Sequence, residues 1–113
     1  MKKRTEGDIL KAVKIFLKSQ GILYLRINPI SPVTYKGNLH WRKPGDEMIG
    51  APDIIAFFPN RYPLGETKVL AIECKSPTGK LSKLQHEWKE RAEGIGIAYV
   101  IVRQIDDLME QLK

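Results

Sequence analysis

Three residues of this chain carry the functional groups for metal-assisted phosphate chemistry: Asp53, Glu73 and Lys75. Glu73 and Lys75 lie two residues apart in Ile72-Glu73-Cys74-Lys75. Alternate side chains of a strand share a face, so both charges project together while Ile72 and Cys74 turn to the core. Two charges that close an otherwise apolar strand need partners, because unpaired buried charge is costly. A metal ion and a phosphate would supply them. Asp53 follows Gly50-Ala51-Pro52 and opens the preceding apolar run. If the two runs pair as antiparallel neighbours, the start of one lies beside the end of the other and Asp53 stands next to Glu73. Two converging carboxylates suit Mg²⁺, or Mn²⁺ in its place, which binds through one or two carboxylates and keeps several waters. The backbone carbonyl of Cys74 would add a third protein oxygen. Such a metal lowers the pKa of a bound water and neutralises phosphate charge. Lys75 would orient or deprotonate that water, or stabilise the developing charge; the spacing does not choose between these roles.

The elements that must position these groups follow from periodicity. Ile9, Leu10, Val13, Phe16 and Leu17 recur at helical spacing, with Lys11, Lys14 and Lys18 outside the stripe, so a helix is expected from Thr5, its N-cap, to about Gln20, ended by Gly21. Strands are expected at Ile22–Asn28, Asp53–Phe58, Lys68–Lys75 and Ile95–Val102, with a turn between Pro59 and Thr67. The third run is apolar on both faces up to Glu73, the mark of a central, doubly covered strand. Ser82 to Glu93 reads as a second helix stopped by Gly94, and Ile105–Leu112 as a short last one. Pro29 to about Ala51, with three prolines and three glycines, reads as irregular. Unstructured stretches of that length are usually functional in a small domain. The order αβββαβα gives an α/β sandwich: three strands in a meander and a fourth reached by a crossover over a helix. Several candidate residues also have ordinary structural roles. Glu6 suits the first turn of a helix, and Ser82-Lys83-Leu84-Gln85 matches a capping box with Gln85 at its third position. His86 reads as a surface side chain and Trp88 as core.

With 113 residues there is room for one domain, residues 1–113, and a hydrophobic fraction of 42% supports a core. The single cysteine, Cys74, forms no internal disulfide, and with two histidines it builds no zinc site, which leaves a hard cation held by oxygen. No run is long enough to span a bilayer, and no apolar stretch follows Met-Lys-Lys-Arg at the start, so cytoplasmic residence is expected, a host's cytoplasm for a phage protein. A net charge of +6 suits a polyanionic partner.

Taken together, Glu6, Pro52-Asp53, Glu73-Cys74-Lys75 and Gln85 resemble the PD-(D/E)XK nucleases, and more narrowly their VRR-NUC branch. Gly50-Ala51-Pro52-Asp53 is similar to the branch's opening motif. Gly79-Lys80-Leu81-Ser82 followed by Gln85 resembles its central block, and Tyr99-Val100-Ile101-Val102-Arg103 with Asp106-Asp107 its closing strand and acidic turn. The Val-Arg-Arg signature is altered to Val102-Arg103-Gln104. The resemblance implies a restriction-endonuclease-like core with a mixed four-stranded sheet flanked by helices. It implies metal binding by Asp53 and Glu73, catalysis by Lys75, and assistance from Gln85 and Glu6. It also implies a stand-alone Holliday-junction resolvase, in which Arg26 and Ser31 sit where the first strand and the following loop contribute to the site. A nickase or flap endonuclease, and a non-catalytic nucleic-acid-binding module, are the competing expectations. Lys36, Arg42 and Lys43 are expected to pair with DNA phosphates, Tyr35 and Trp41 to stack on exposed bases. A homodimer would match a junction's two-fold symmetry, with Trp41, Met48, Leu108 and Met109 as candidate contacts, the alternative for Leu108 and Met109 being to cap the monomer's own core.

Overall fold

The computed structural model describes residues 4–27, 31–35, 37–42, 49–59 and 67–112. Helix α1 spans Glu6–Ser19. Thr5 caps it, and Asp8 returns the bond to the Thr5 amide, a capping box that accompanies the expected N-cap. Its C-terminus closes on Gly21 at φ 66°, with Gly21 N–H donating to Lys18 and Ile22 N–H to Leu17, the paired bonds of a Schellman ending.

Strands β1 (Leu23–Arg26), β4 (Ile54–Phe58), β5 (Lys68–Cys74) and β6 (Ala98–Val102) form one sheet in that order, and β2 (Ser31–Tyr35) with β3 (Asn38–Arg42) forms a separate hairpin. β1 and β4, like β4 and β5, are antiparallel, whereas β5 and β6 are parallel. The expected meander and crossover are therefore present, the crossover carried by α2 (Lys83–Gly94). The hairpin departs from the expectation of an irregular 29–51 segment. Ser31 pairs with Arg42 and Tyr35 with Asn38, around a turn in which Gly37 takes φ 76°. Pro32 and the polar residues of these two runs hide their strand character, and a two-residue Lys-Gly turn is a weaker signal than Asn-Gly. Ser31 consequently lies in a strand and not in a loop.

Two further boundaries differ. α2 runs through Gly94 and ends in a second Schellman pattern, in which Gly96 at φ 92° donates to Glu93 and Ile97 to Ala92. The left-handed position falls on Gly96, so β6 begins only at Ala98. The last helix is Ile105–Met109 (α3), tightened into a 3-10 turn over Glu110–Leu112.

One face of the sheet packs against α1 and α3. Ile9, Val13 and Leu17 of α1 and Leu108 of α3 meet Ile54, Ala56, Leu70, Ile72, Cys74 and Val102. Leu108 is completely buried in this core, which removes it as a dimer contact, while Met109 is 46% exposed. α2 lies against β6 on the other face, where Trp88 tilts against Tyr99 at 6.1 Å between ring centroids. Among the described residues no helix is long and apolar enough to cross a membrane.

One glycine in this frame has no substitute. Gly50 takes φ 77°, and a Cβ placed on it would lie 2.4 Å from the Leu84 carbonyl oxygen and 2.7 Å from its carbon. The turn before Asp53 thus rests directly on the backbone of α2's first turn. Gly50→Ala combines a left-handed backbone penalty with a backbone clash, and it is expected to lower stability by roughly 2–3 kcal/mol. Urea unfolding checks this; a midpoint equal to that of the unaltered chain would show that the two segments part without cost.

Candidate active site

β4 and β5 are held in antiparallel register with Ile54 opposite Ile72, so the residue before β4 falls beside the residue after Ile72. Asp53 and Glu73 are thereby brought together, as the spacing suggested. The Asp53 Oδ2 accepts from the Cys74 amide at 2.7 Å. Glu73 is 97% buried and Lys75 nearly so, with relative exposures of 3% and 8%. The Lys75 ammonium stands 3.8 Å from Glu73 Oε1 and 3.9 Å from Glu6 Oε1. α1 therefore delivers Glu6 to the site from its first turn. α2 delivers Gln85: its Oε1 accepts from the Ser82 amide at 2.8 Å to close the capping box, and its Nε2 donates to Glu73 Oε1 at 3.1 Å. The structural and the site role of Gln85 are the same placement.

Arg26, at the end of β1, turns toward Asp53. Its Nη1 donates to the Asp53 backbone oxygen at 3.0 Å and to the Ile27 carbonyl, and lies 4.0 Å from Asp53 Oδ1. It is engaged with the site's aspartate. Ser31 and Arg42 sit opposite each other at the open end of the hairpin. Lys36, Lys43 and Met48 lie outside the described residues, as do the side chains of Ser31, Tyr35, Trp41 and Arg42.

Sequence reasoning missed a holder of the loop after Lys75. Arg103 donates from Nη1 to the carbonyls of Ser76 and Gly79, both at 2.7 Å, while Asp107 Oδ2 accepts from the Arg103 amide at 2.9 Å. Gly79 lies so close to the site that an added Cβ would meet Ser76 Oγ at 3.0 Å and Glu6 Oε1 at 3.3 Å. A basic residue directly after a buried strand was the available signal.

The electrostatics are unusual at Glu73. Burial raises its pKa to about 8, the charge of the neighbouring Asp53 adds to the rise, and Lys75 opposes it. Its Oε2 is buried with no hydrogen-bond partner among the described residues. The Tyr99 hydroxyl is also buried without one, and burial and the charge of Glu73 hold it well above the usual phenol range. Burial pushes the Cys74 thiol up to about 12, so the thiolate that would bind a soft metal is absent at neutral pH.

A hard cation fits these donors. The buried unpartnered oxygen of Glu73 is an acceptor waiting for one, and Asp53 stands across from it. In an extended strand the N–H and C=O of one residue point the same way, so the Cys74 carbonyl is directed to the side where its amide meets Asp53. Among the described residues no three His, Cys, Asp or Glu side chains group as a metal cage. Two carboxylates, one carbonyl and retained waters are the set that Mg²⁺ accepts.

The raised Glu73 has a measurable consequence in the metal-free protein. Its folded pKa of about 8 exceeds the ordinary 4.5, so the folded chain binds the extra proton between those values. The stability this contributes is complete below about pH 4.5 and is lost as pH rises through about 8, on the order of a few kcal/mol. Glu73→Gln removes that dependence. Urea unfolding in EDTA from pH 5 to 9 is expected to show a gain from Glu73→Gln that grows with pH; parallel profiles would mean that Glu73 is not desolvated.

Compared with known proteins, the chain matches no family model, no curated protein and no solved structure.

Proposed function

We propose that this chain is a Mg²⁺-dependent endodeoxyribonuclease of the PD-(D/E)XK kind, similar to the VRR-NUC branch, that cuts branched DNA as a homodimer in the manner of a Holliday-junction resolvase. The observation that carries the reading is the end of β5. There a buried glutamate with one unpartnered oxygen and a buried lysine share a face, with an aspartate across the strand pair. A purely structural strand end has no use for this arrangement, since buried charge without full pairing is destabilising.

Asp53, Glu73 and the Cys74 carbonyl would hold the metal. Bound there, Mg²⁺ supplies a water of lowered pKa and neutralises charge on the phosphate. The remaining work falls to the chain. Gln85 holds Glu73 Oε1 in place through its amide. Lys75, anchored between Glu73 and Glu6, presents its ammonium to the charge that builds on the phosphoryl oxygens. Hydrolysis forms one bond from the water oxygen to phosphorus and breaks one to the leaving oxygen; the water gives up a proton and the leaving group takes one. Arg26 steadies Asp53. Net charge of +6 supports a polyanionic substrate, with Lys36, Arg42 and Lys43 as further phosphate contacts.

The test is cleavage of a synthetic four-way junction beside linear, nicked and flapped duplexes, with Mg²⁺, Mn²⁺ or EDTA. Metal-dependent cutting with the junction preferred supports the full reading. Preference for nicks or flaps would keep the nuclease and reject the resolvase. Binding without cutting would leave a nucleic-acid-binding module. Light scattering tests the assembly: a monomer mass at micromolar concentration with junction cleavage intact would refute the dimer.

A further inference from the structure

The rim of the site carries two apolar side chains that the fold does not bury. Leu84 is 50% exposed and Ile49 is 40% exposed. Leu84 immediately precedes Gln85, whose amide holds Glu73, and Ile49 immediately precedes Gly50. The Gly50 backbone lies against the Leu84 carbonyl, so the segments that carry Ile49 and Leu84 are neighbours in the fold, Ile49 four residues before Asp53 and Leu84 one residue before Gln85. Solvated leucine and isoleucine are ordinary when scattered. Two such residues on segments in backbone contact, next to the residues that form a charged site, are a placement with a cost in solvent and a use with a ligand.

The surrounding charge says which ligand. α1 begins with Glu6 and Asp8, and α3 with Asp106 and Asp107, whereas the first turn of α2 has no acid. Its caps, Ser82 and Gln85, are neutral, and Lys80 and Lys83 beside them are exposed. Glu87 stands one turn further along α2, but the helix start itself carries no acid, and two exposed lysines are available there to the phosphates of a polyanionic strand. An apolar surface reached through cationic neighbours matches a nucleotide, whose base has apolar faces and whose backbone is anionic.

We propose that Ile49 and Leu84 form an apolar seat for an unpaired base next to the phosphate that is cut, so that the favoured substrate is DNA with an unstacked nucleotide at the scission point. This rests on the nuclease reading of the same site. Aliphatic side chains serve elsewhere as wedges against unstacked base steps. A base at a branch point is more easily unpaired and unstacked than one inside a linear duplex, and it enters the seat at lower cost. Selectivity for branched DNA then arises at the site itself, within one subunit.

A four-way junction carrying 2-aminopurine beside the branch point tests this with the 113-residue chain. In EDTA, binding is expected to raise 2-aminopurine emission, since aliphatic neighbours do not quench it as stacked bases do. Ile49→Ser with Leu84→Ser is expected to abolish the rise. With Mg²⁺ it is expected to lower the ratio of junction to linear cleavage about tenfold, the size of one lost base contact. Ile15→Ser removes a still more exposed side chain roughly 14 Å along α1 from Glu6 and is expected to change neither readout. Because both rim residues are partly solvated, the double variant should keep the wild-type melting temperature; the single Leu84→Ala provides a milder form if it does not. An unchanged emission rise and an unchanged cleavage ratio would overturn the seat and leave the nuclease standing. A wild-type chain that cuts junctions with no rise in emission would do the same. A wild-type chain that cuts no DNA with either metal would overturn the nuclease reading, and the seat with it.

Discussion

Asp53→Ala and Glu73→Ala are each expected to lower Mg²⁺-dependent junction cleavage by about 10³-fold or more, since each removes half of the carboxylate pair that would hold the metal. The two variants differ in what else they disturb. Asp53 accepts the Cys74 amide, so Asp53→Ala also strands a backbone donor, which costs about 1–3 kcal/mol. Asp53→Asn keeps that acceptor and removes only the charge, and it is the cleaner variant. Glu73→Ala takes away a buried carboxyl with an unpartnered oxygen, but also the acceptor of the Gln85 amide and one of the two carboxylates beside buried Lys75, so Glu73→Gln is the variant the metal-free fold is expected to tolerate. Isothermal titration with Mg²⁺ alongside cleavage rates checks both. Wild-type rates in either variant, or full activity of the unaltered chain in EDTA, would remove these carboxylates from the chemistry. The proton on Glu73 adds a pH signature. Metal must displace it, so Mg²⁺ affinity is expected to climb about tenfold per pH unit up to about 8 and then level off.

Lys75→Ala is expected to lose cleavage by about 10²–10³-fold while junction affinity falls by less than about threefold. Affinity should come from many phosphate contacts over a basic surface, whereas this one ammonium is buried just past the end of β5. The structure adds a second effect. Lys75 is the group that holds the Glu73 pKa down, so its removal raises that carboxyl further. Residual activity of Lys75→Ala is therefore expected to rise with pH over a more alkaline range than that of the unaltered chain. Gel-shift affinities and single-turnover rates from pH 6.5 to 9.5 separate the two effects. Normal turnover with weak binding would make Lys75 a phosphate anchor. A rate loss with an unshifted pH profile would mean that Lys75 acts on the phosphate alone and does not tune the carboxylate.

Much of this arrangement is determined by the sequence alone, because it depends on periods and on short separations. Alternation along β5 puts Glu73 and Lys75 on one face whatever surrounds them. The apolar stripe of α1 sets which side of that helix is buried, and Ser82 with Gln85 starts α2 through a contact three residues long. The glycine at 21 ends α1 because a left-handed residue is needed there. Gly94 does not end α2 for a related reason: two glycines lie within reach of the helix end, and the bond from Ile97 to Ala92 selects Gly96. The hairpin at 31–42 escaped because its strands carry a proline and alternate weakly, so their pairing rests on partners more than on propensity.

What only the tertiary structure decided are the meetings between residues distant in the chain. Antiparallel register, one residue either way, determines whether Asp53 faces Glu73 or the opposite side of the sheet, and register is set by which apolar face must be buried. Arg26 bonding to Asp53, Glu6 reaching Lys75, Arg103 holding the carbonyls of Ser76 and Gly79, and Gly50 resting on Leu84 join segments whose separation in sequence carries no trace of the contact. The proton affinity of Glu73 belongs to the same class. Its residue type sets the ordinary value, but desolvation and the Asp53 charge are produced by packing, and they exist only once β4, β5 and the two helices have closed around it.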